Sequence, residues 1–193
     1  MSSPAHKRQL LFETASNQFV LFTAKQAEAA GYSRKRFNYQ LNVGEWQQEG
    51  RGLFKLTNYL HEPEADYMQW LLWSRSRNEE IQGCLSHETA MFIYELGDVM
   101  PSKIHITVPR DFRRSAIPKA IKIHYANLPS NVIYQERGLN VTSPIRTFLD
   151  LLAEGKSDPD IIKTGIRNAL DIGLITKKQI SEYETLSGLN FPS

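Results

Sequence analysis

With 193 residues, 41% of them hydrophobic, a formal charge of +2 and a single cysteine, the chain has a globular composition sufficient for one domain or two small ones. The basic, polar start MSSPAHKRQ has no apolar region behind it and apolar runs such as Trp70 to Trp73 are short, so neither a signal peptide nor a membrane span is expected. Cys84 has no partner for an internal disulfide, which predicts a cytoplasmic chain and a buried, small apolar role for that residue.

Charge is unevenly distributed along the chain. Residues 1–60 carry eight basic against four acidic side chains, residues 61–100 two against eight, and residues 101–125 six against one. Two basic blocks therefore flank an acidic one, and basic blocks attract phosphate whatever the base sequence.

In chain order, Lys7 to Gln18 is expected to be helical with Leu10, Leu11 and Ala15 inward, and Phe19 to Phe22 reads as a short strand. Thr23 is a good N-cap for a helix rich in alanine (Ala24, Ala27, Ala29, Ala30) that Gly31 ends, and Ser33 is expected to cap a second helix directly. On that second helix Phe37 and Leu41 are i and i+4 and define an inward stripe. Lys35, Tyr39 and Asn42 are thereby thrown outward, with Arg34, Arg36 and Asn38 beside them. Lys and Arg suit guanine edges or phosphates, Asn suits an adenine edge, and Ser33 with the helix start suits a phosphate.

After Gly44 the pattern becomes strand, hairpin and strand: Trp46 to Gln48, the tip Gly50-Arg51-Gly52, then Leu53 to Leu56 including Lys55. The order helix, strand, helix, helix, strand, wing, strand predicts a winged helix-turn-helix whose second helix lies in a major groove while Arg51 reaches the backbone or adjacent minor groove. Lys7 and Arg8, and the loop residues Arg110, Arg113, Arg114 and Lys119, are expected as secondary phosphate contacts, although a solvated loop explains the latter block equally well.

Pro63 marks a connector, so a domain boundary is placed at residues 60/61, with 61–193 forming a mixed α/β domain and the whole chain an α+β protein. In that domain helices are predicted over Glu64 to Asn78, after Ser86, after Ser143-Pro144 with Phe148, Leu149 and Leu152 inward, and over Pro159 to Ile172 and Lys177 to Leu186. Strands are predicted over Lys103 to Val108, Ala120 to Tyr125, Asn131 to Gln135 and Leu139 to Val141. Trp70 and Trp73 read as packing residues, and Arg146 with Asp150 as an i, i+4 pair.

Three stretches in this order, FTAKQAEAAGYSRKRF with GRGLFKL, then LSHETAMFIYELGDVMPSKIHITVPRDFRR, then GLNVTSPIRTFLDLL, resemble the AbiEi family of antitoxins of type IV toxin-antitoxin systems. The resemblance implies a winged helix that binds operator DNA and represses its own operon, and a C-terminal domain opposing a separately encoded nucleotidyltransferase-like toxin in phage defence. It implies operator contacts at Arg34 to Tyr39 and Arg51. Ser86, His87, Thr142, Arg146 and Asp150 lie in the matched C-terminal stretches and read mainly as structural. The alternative is a winged-helix transcriptional regulator without a toxin, whose C-terminal domain senses a ligand or dimerises.

Catalysis, a cofactor and a metal are not expected. His87-Glu88 begins a zincin-like string, but Met91 stands where its second histidine belongs, and His6, His61, His105 and His124 lack ligand spacing. Glu154-Gly155-Lys156, with Asp150 nearby, mimics a nuclease pair at a helix end, and Asp158-Pro159-Asp160 mimics a magnesium-binding pair without an upstream phosphate loop. Both read as chance.

Overall fold

The computed structural model describes residues 3–188, 190 and 191, which form two compact units divided between Ile81 and Gln82. The fold is α+β: a three-stranded sheet with helices in the first unit, a five-stranded sheet with helices in the second.

In the first unit, helix α1 (Pro4–Ser16) starts with proline at its first position and Ser3 capping it, and buries Leu11 and Ala15. The strand expected from Phe19 is shorter. Phe19 and Val20 take φ of +52° and +60°, because the chain reverses out of α1 with the Gln18 and Val20 amides both donating to the Ala15 carbonyl. Strand β1 is therefore Leu21–Thr23. Thr23 and Gln26 form a reciprocal capping box at the start of α2 (Ala24–Ala29), and Gly31, at φ +94°, turns the chain away.

The second helix of the pair opens as a 3-10 turn, Arg34–Arg36, and continues as α3 (Phe37–Asn42). Ser33 occupies the flanking position, but its side chain makes no capping bond, so the expected cap is corrected: the tighter turn takes its place, with the Arg36 amide donating to the Ser33 carbonyl. Strands β2 (Trp46–Gly50) and β3 (Leu53–Leu56) form the hairpin, and the sheet order β1-β3-β2 is antiparallel throughout. A register shift between Gln48 and Gly50 leaves Arg51-Gly52 as the tip, with Gly52 at φ +66°.

Helix α4 (Glu64–Trp73) ends before the expected Asn78, since Ser74 Oγ donates to the Leu71 carbonyl and Arg75 Nη1 to that of Leu72, closing the C-terminus. It buries Met68, Leu71 and Leu72, packs on β1 and β3, and so goes with the first unit: the units divide 21 residues beyond the position expected for the boundary.

The second unit contains β4 (Cys84–Leu85), α5 (His87–Ile93), β5 (Ile104–Val108), β6 (Ile121–Tyr125), β7 (Ile133–Glu136), β8 (Leu139–Thr142), α6 (Pro144–Glu154), α7 (Pro159–Asp171) and α8 (Lys177–Ser187). Its sheet runs β6-β5-β4-β8-β7, with β5/β6 and β4/β8 parallel and the other neighbours antiparallel. Helices α5 and α6 pack together, and α7 joins them through Gly165, where a Cβ would stand 2.5 Å from Met91 Cε and 3.2 Å from Phe148 Cε1. The buried face of α6 is Ile145, Phe148 and Leu151; Leu149 and Leu152, expected inward with Phe148, are only half-buried, because the helix is rotated by the i, i+3 spacing of those three. Asp158 caps α7 by accepting from the Asp160 amide, a structural use for that acidic pair.

The core of the first unit is aromatic. Phe37 lies edge-on to Trp46 (5.2 Å between centroids) and Phe54 (5.5 Å), and is 7% exposed. Phe37→Ala should cost about 3–5 kcal/mol of first-unit stability. Tryptophan fluorescence followed through a urea titration checks this, and a loss below about 1 kcal/mol would mean α3 is not anchored by that ring.

Candidate nucleic-acid interface

Because Phe37 is buried and Leu41 packs against the same core, the opposite side of the Arg34–Asn42 segment is forced to solvent. Arg34, Lys35, Arg36, Asn38, Tyr39 and Asn42 are all exposed, Tyr39 at 62%. Tyr39 stands between amides and cations, and nothing in the first unit's core uses its ring.

Not all of these charges are equally disposed. Arg34 forks onto Glu28, with Nε 2.7 Å from Oε1 and Nη2 3.3 Å from Oε2, and Arg8 donates to Glu45 Oε1 at 2.6 Å. Exposed pairs of this kind are worth roughly 0–1 kcal/mol, so neither carboxylate holds its arginine against a phosphate. Lys55 is half-buried on β3 with Nζ 3.1 Å from His61 Nδ1, and Lys7 lays its stem over Gly31.

The wing is held from behind. The Gly52 carbonyl accepts from the Ala24 amide at 3.0 Å and from Arg75 Nη2 at 3.1 Å, Lys25 donates to the Arg77 carbonyl, and Thr23 to the Glu79 carboxylate. The residues after α4 thus brace the hairpin tip against the start of α2, leaving Arg51 exposed at the end of a fixed turn.

The second basic block lies in the other unit. Arg110, Arg113, Arg114 and Lys119 are exposed on the β5–β6 crossover; Arg113 Nη1 donates to the carbonyls of Arg110 (3.0 Å) and Phe112 (2.8 Å), and Arg114 stands 5.7 Å from the Phe112 ring centre. These bonds shape the loop.

The residues of the C-terminal stretches bond largely among themselves. Arg146 Nε and Nη2 contact Asp150 Oδ1 at 2.9 and 2.8 Å, and burial raises the Asp150 carboxyl above its ordinary value against the pull of that arginine. Thr142 and Thr147 hydroxyls are 2.7 Å apart, while Thr107 Oγ1 donates to Ser86 Oγ at 2.8 Å. Cys84 is buried, its thiol pushed up to about 12 chiefly by burial, which leaves it unreactive.

Sequence reasoning missed one cluster. His87, His105 and His124 bring their ring nitrogens within 4.8 Å of one another. Positions 105 and 124 lie on neighbouring parallel strands with Thr107 opposite His124, and His87 opens the helix that packs on β5. Spacing could not reveal them, since three elements contribute one each; the alternation on both strands, which puts Lys122 and His124 on one face with His105, was the available signal. Glu154, at the end of α6, bonds Lys122 Nζ at 2.7 Å. Burial would raise its carboxyl, but the hydrogen bond and charge of Lys122, joined by His124 and His87 once these protonate in acid, outweigh that and hold it down to about 2.

The first unit is a winged helix-turn-helix. Residues 9–57 match the model of a family described as transcriptional regulator, AbiEi antitoxin. Over 95% of the chain the fold is similar to the crystal structure of the RV2827C protein from Mycobacterium tuberculosis, with a TM-score of 0.56 at 12% identity across 72% of that chain, a likeness of fold. No curated protein matches the sequence significantly. Among the described residues no helix is long and apolar enough to cross a membrane.

Glu154 carries a pH signature. A carboxyl whose folded value lies below its unfolded one stabilises the protein above about pH 4.5, and that contribution is lost as pH falls toward 2. Glu154→Gln should therefore flatten the acid limb of urea-unfolding midpoints between pH 5 and about 2. An unchanged limb would show that the Lys122 contact is not maintained in solution.

Proposed function

We propose that the chain is a sequence-specific DNA-binding antitoxin and autorepressor of a type IV toxin-antitoxin system, with no enzymatic activity of its own. The observation that carries this reading is the exposed Arg34–Asn42 face, backed by the buried Phe37 and set beside a braced wing, inside the segment that matches the AbiEi regulator model. In this reading Lys35, Arg36, Asn38, Tyr39 and Asn42 meet base edges and phosphates, Arg34 exchanges Glu28 for a phosphate, and Arg51 contacts the sugar-phosphate wall. Lys7, Arg8 and Lys55 add positive charge on the same unit, and the crossover arginines give the second unit an affinity for phosphate. The second unit opposes a nucleotidyltransferase-like toxin encoded nearby.

Arg36→Ala should weaken binding to the DNA upstream of its own gene by about 1–3 kcal/mol where a bidentate base contact is lost, and Lys35→Ala should lower the salt dependence of binding by about one ion. Mobility shifts at several salt concentrations read both. Wild-type affinity in both variants would remove the Arg34–Arg36 turn at the start of this helix as a contact. Co-expression with the neighbouring frame tests the antitoxin half: relief of growth arrest by the full chain supports it, and arrest unrelieved by the chain removes it while leaving repression standing.

A further inference from the structure

We propose that His87, His105 and His124 form a binding site for a divalent first-row metal ion, zinc above all, with three imidazole ligands from α5, β5 and β6. The site lies in the second unit, and the proposal does not depend on the DNA-binding reading.

Geometry is the main argument. A tetrahedral zinc with Zn–N bonds of about 2.0–2.1 Å separates its ligand nitrogens by about 3.3–3.4 Å. His105 Nδ1 and His124 Nε2 are already 3.3 Å apart, and the whole set lies within 4.8 Å. His87 stacks on His124 at 3.5 Å between centroids and 14° between planes, so its nitrogen and that of His124 do not yet aim at one point, and ligation requires the His87 ring to turn out of the stack. Among the described residues this is the one group of three or more potential metal-binding side chains so arranged.

The surroundings of the rings fit ligation as well. A metal-bound histidine usually directs its other nitrogen to an oxygen that fixes ring orientation. His87 Nδ1 is 2.9 Å from Ser86 Oγ, itself held by Thr107, which leaves Nε2 for an ion. His105 Nε2 is 3.9 Å from Glu88 Oε2, which leaves Nδ1, and Ser157 donates to the other Glu88 oxygen at 2.8 Å. His87 also holds φ +53°, a left-handed conformation uncommon outside glycine, and such strain collects at functional positions. Imidazole ligands suit zinc, copper, iron and nickel, and three of them leave a four-coordinate ion one position for water or an anion.

The test uses the full chain stripped by chelator and titrated with Zn²⁺ alone by calorimetry, with Co²⁺ as an optical reporter of coordination geometry. Binding of one equivalent, tetrahedral cobalt absorption and a zinc-dependent rise in melting temperature are expected, all at least tenfold weaker in His105→Gln and His124→Gln and unchanged in the control His6→Gln. Should a ligand variant fail to fold, Glu88→Gln, which keeps all three imidazoles, is expected to weaken zinc ten- to hundredfold. Absence of saturable binding by the wild type, or zinc affinity equal to wild type in the folded variants, overturns the proposal.

Discussion

Trp46 is the residue on which the geometry of the first unit turns. Its ring lies 4.8 Å from Phe22 on β1, 4.9 Å from Tyr32 in the turn, 5.2 Å from Phe37 on α3 and 5.8 Å from Phe54 on β3. One side chain from the first strand of the wing thus ties together the sheet, the turn and the outward-facing helix. Ring pairs at these separations add about 0.5–1.5 kcal/mol each beyond area burial, and they also fix orientation. With Phe37 committed to that cluster, the helix has one rotational setting, and the 3.6-residue period delivers Tyr39 and Asn42 to solvent, with Lys35 exposed on the 3-10 turn before it.

That chain of dependence explains why the exposed side of this segment was readable before the structure. A six-residue helix has too few turns to show a full amphipathic pattern, yet Phe37 and Leu41 sufficed because they are the two positions the core takes. The hairpin was equally readable from Gly50-Arg51-Gly52. What escaped were features that depend on contacts distant in sequence. Helix α4 belongs with the first unit because Met68, Leu71 and Leu72 find β1 and β3, whereas Pro63 alone suggested a boundary. The left-handed pair Phe19-Val20 has no sequence signature, since neither residue favours positive φ; the Ala15 carbonyl imposes it. Serine stands at three helix starts, yet at Ser33, Ser86 and Ser143 no side-chain cap forms, and Ser86 is instead drawn into a buried hydroxyl and imidazole network.

The electrostatic design has two tiers. Around the outward helix the acids that pair with basic residues, Glu28 and Glu45, are exposed, so the pairing is weak and screened by salt. In the second unit the carboxylates of Asp150 and Glu154 are each 14% exposed, paired with Arg146 and Lys122 at 27% and 35%, and half-buried pairs lose more when broken than exposed ones. Exchangeable charge therefore sits where a polyanion is expected, and committed charge where the fold needs it. The histidine cluster belongs to the second tier by burial, although its chemistry is that of ligands.

The central claim is that the Arg34–Asn42 face and the Arg51 turn meet DNA. Amide NMR shifts recorded while the gene's own upstream duplex is titrated into the full chain test it most directly. The account predicts the largest perturbations at residues 34–42 and 50–52, with the amides of Leu11 and Ala15 on the inward side of α1 little moved. Perturbations confined to the second unit, with residues 34–42 silent at saturation, would contradict it.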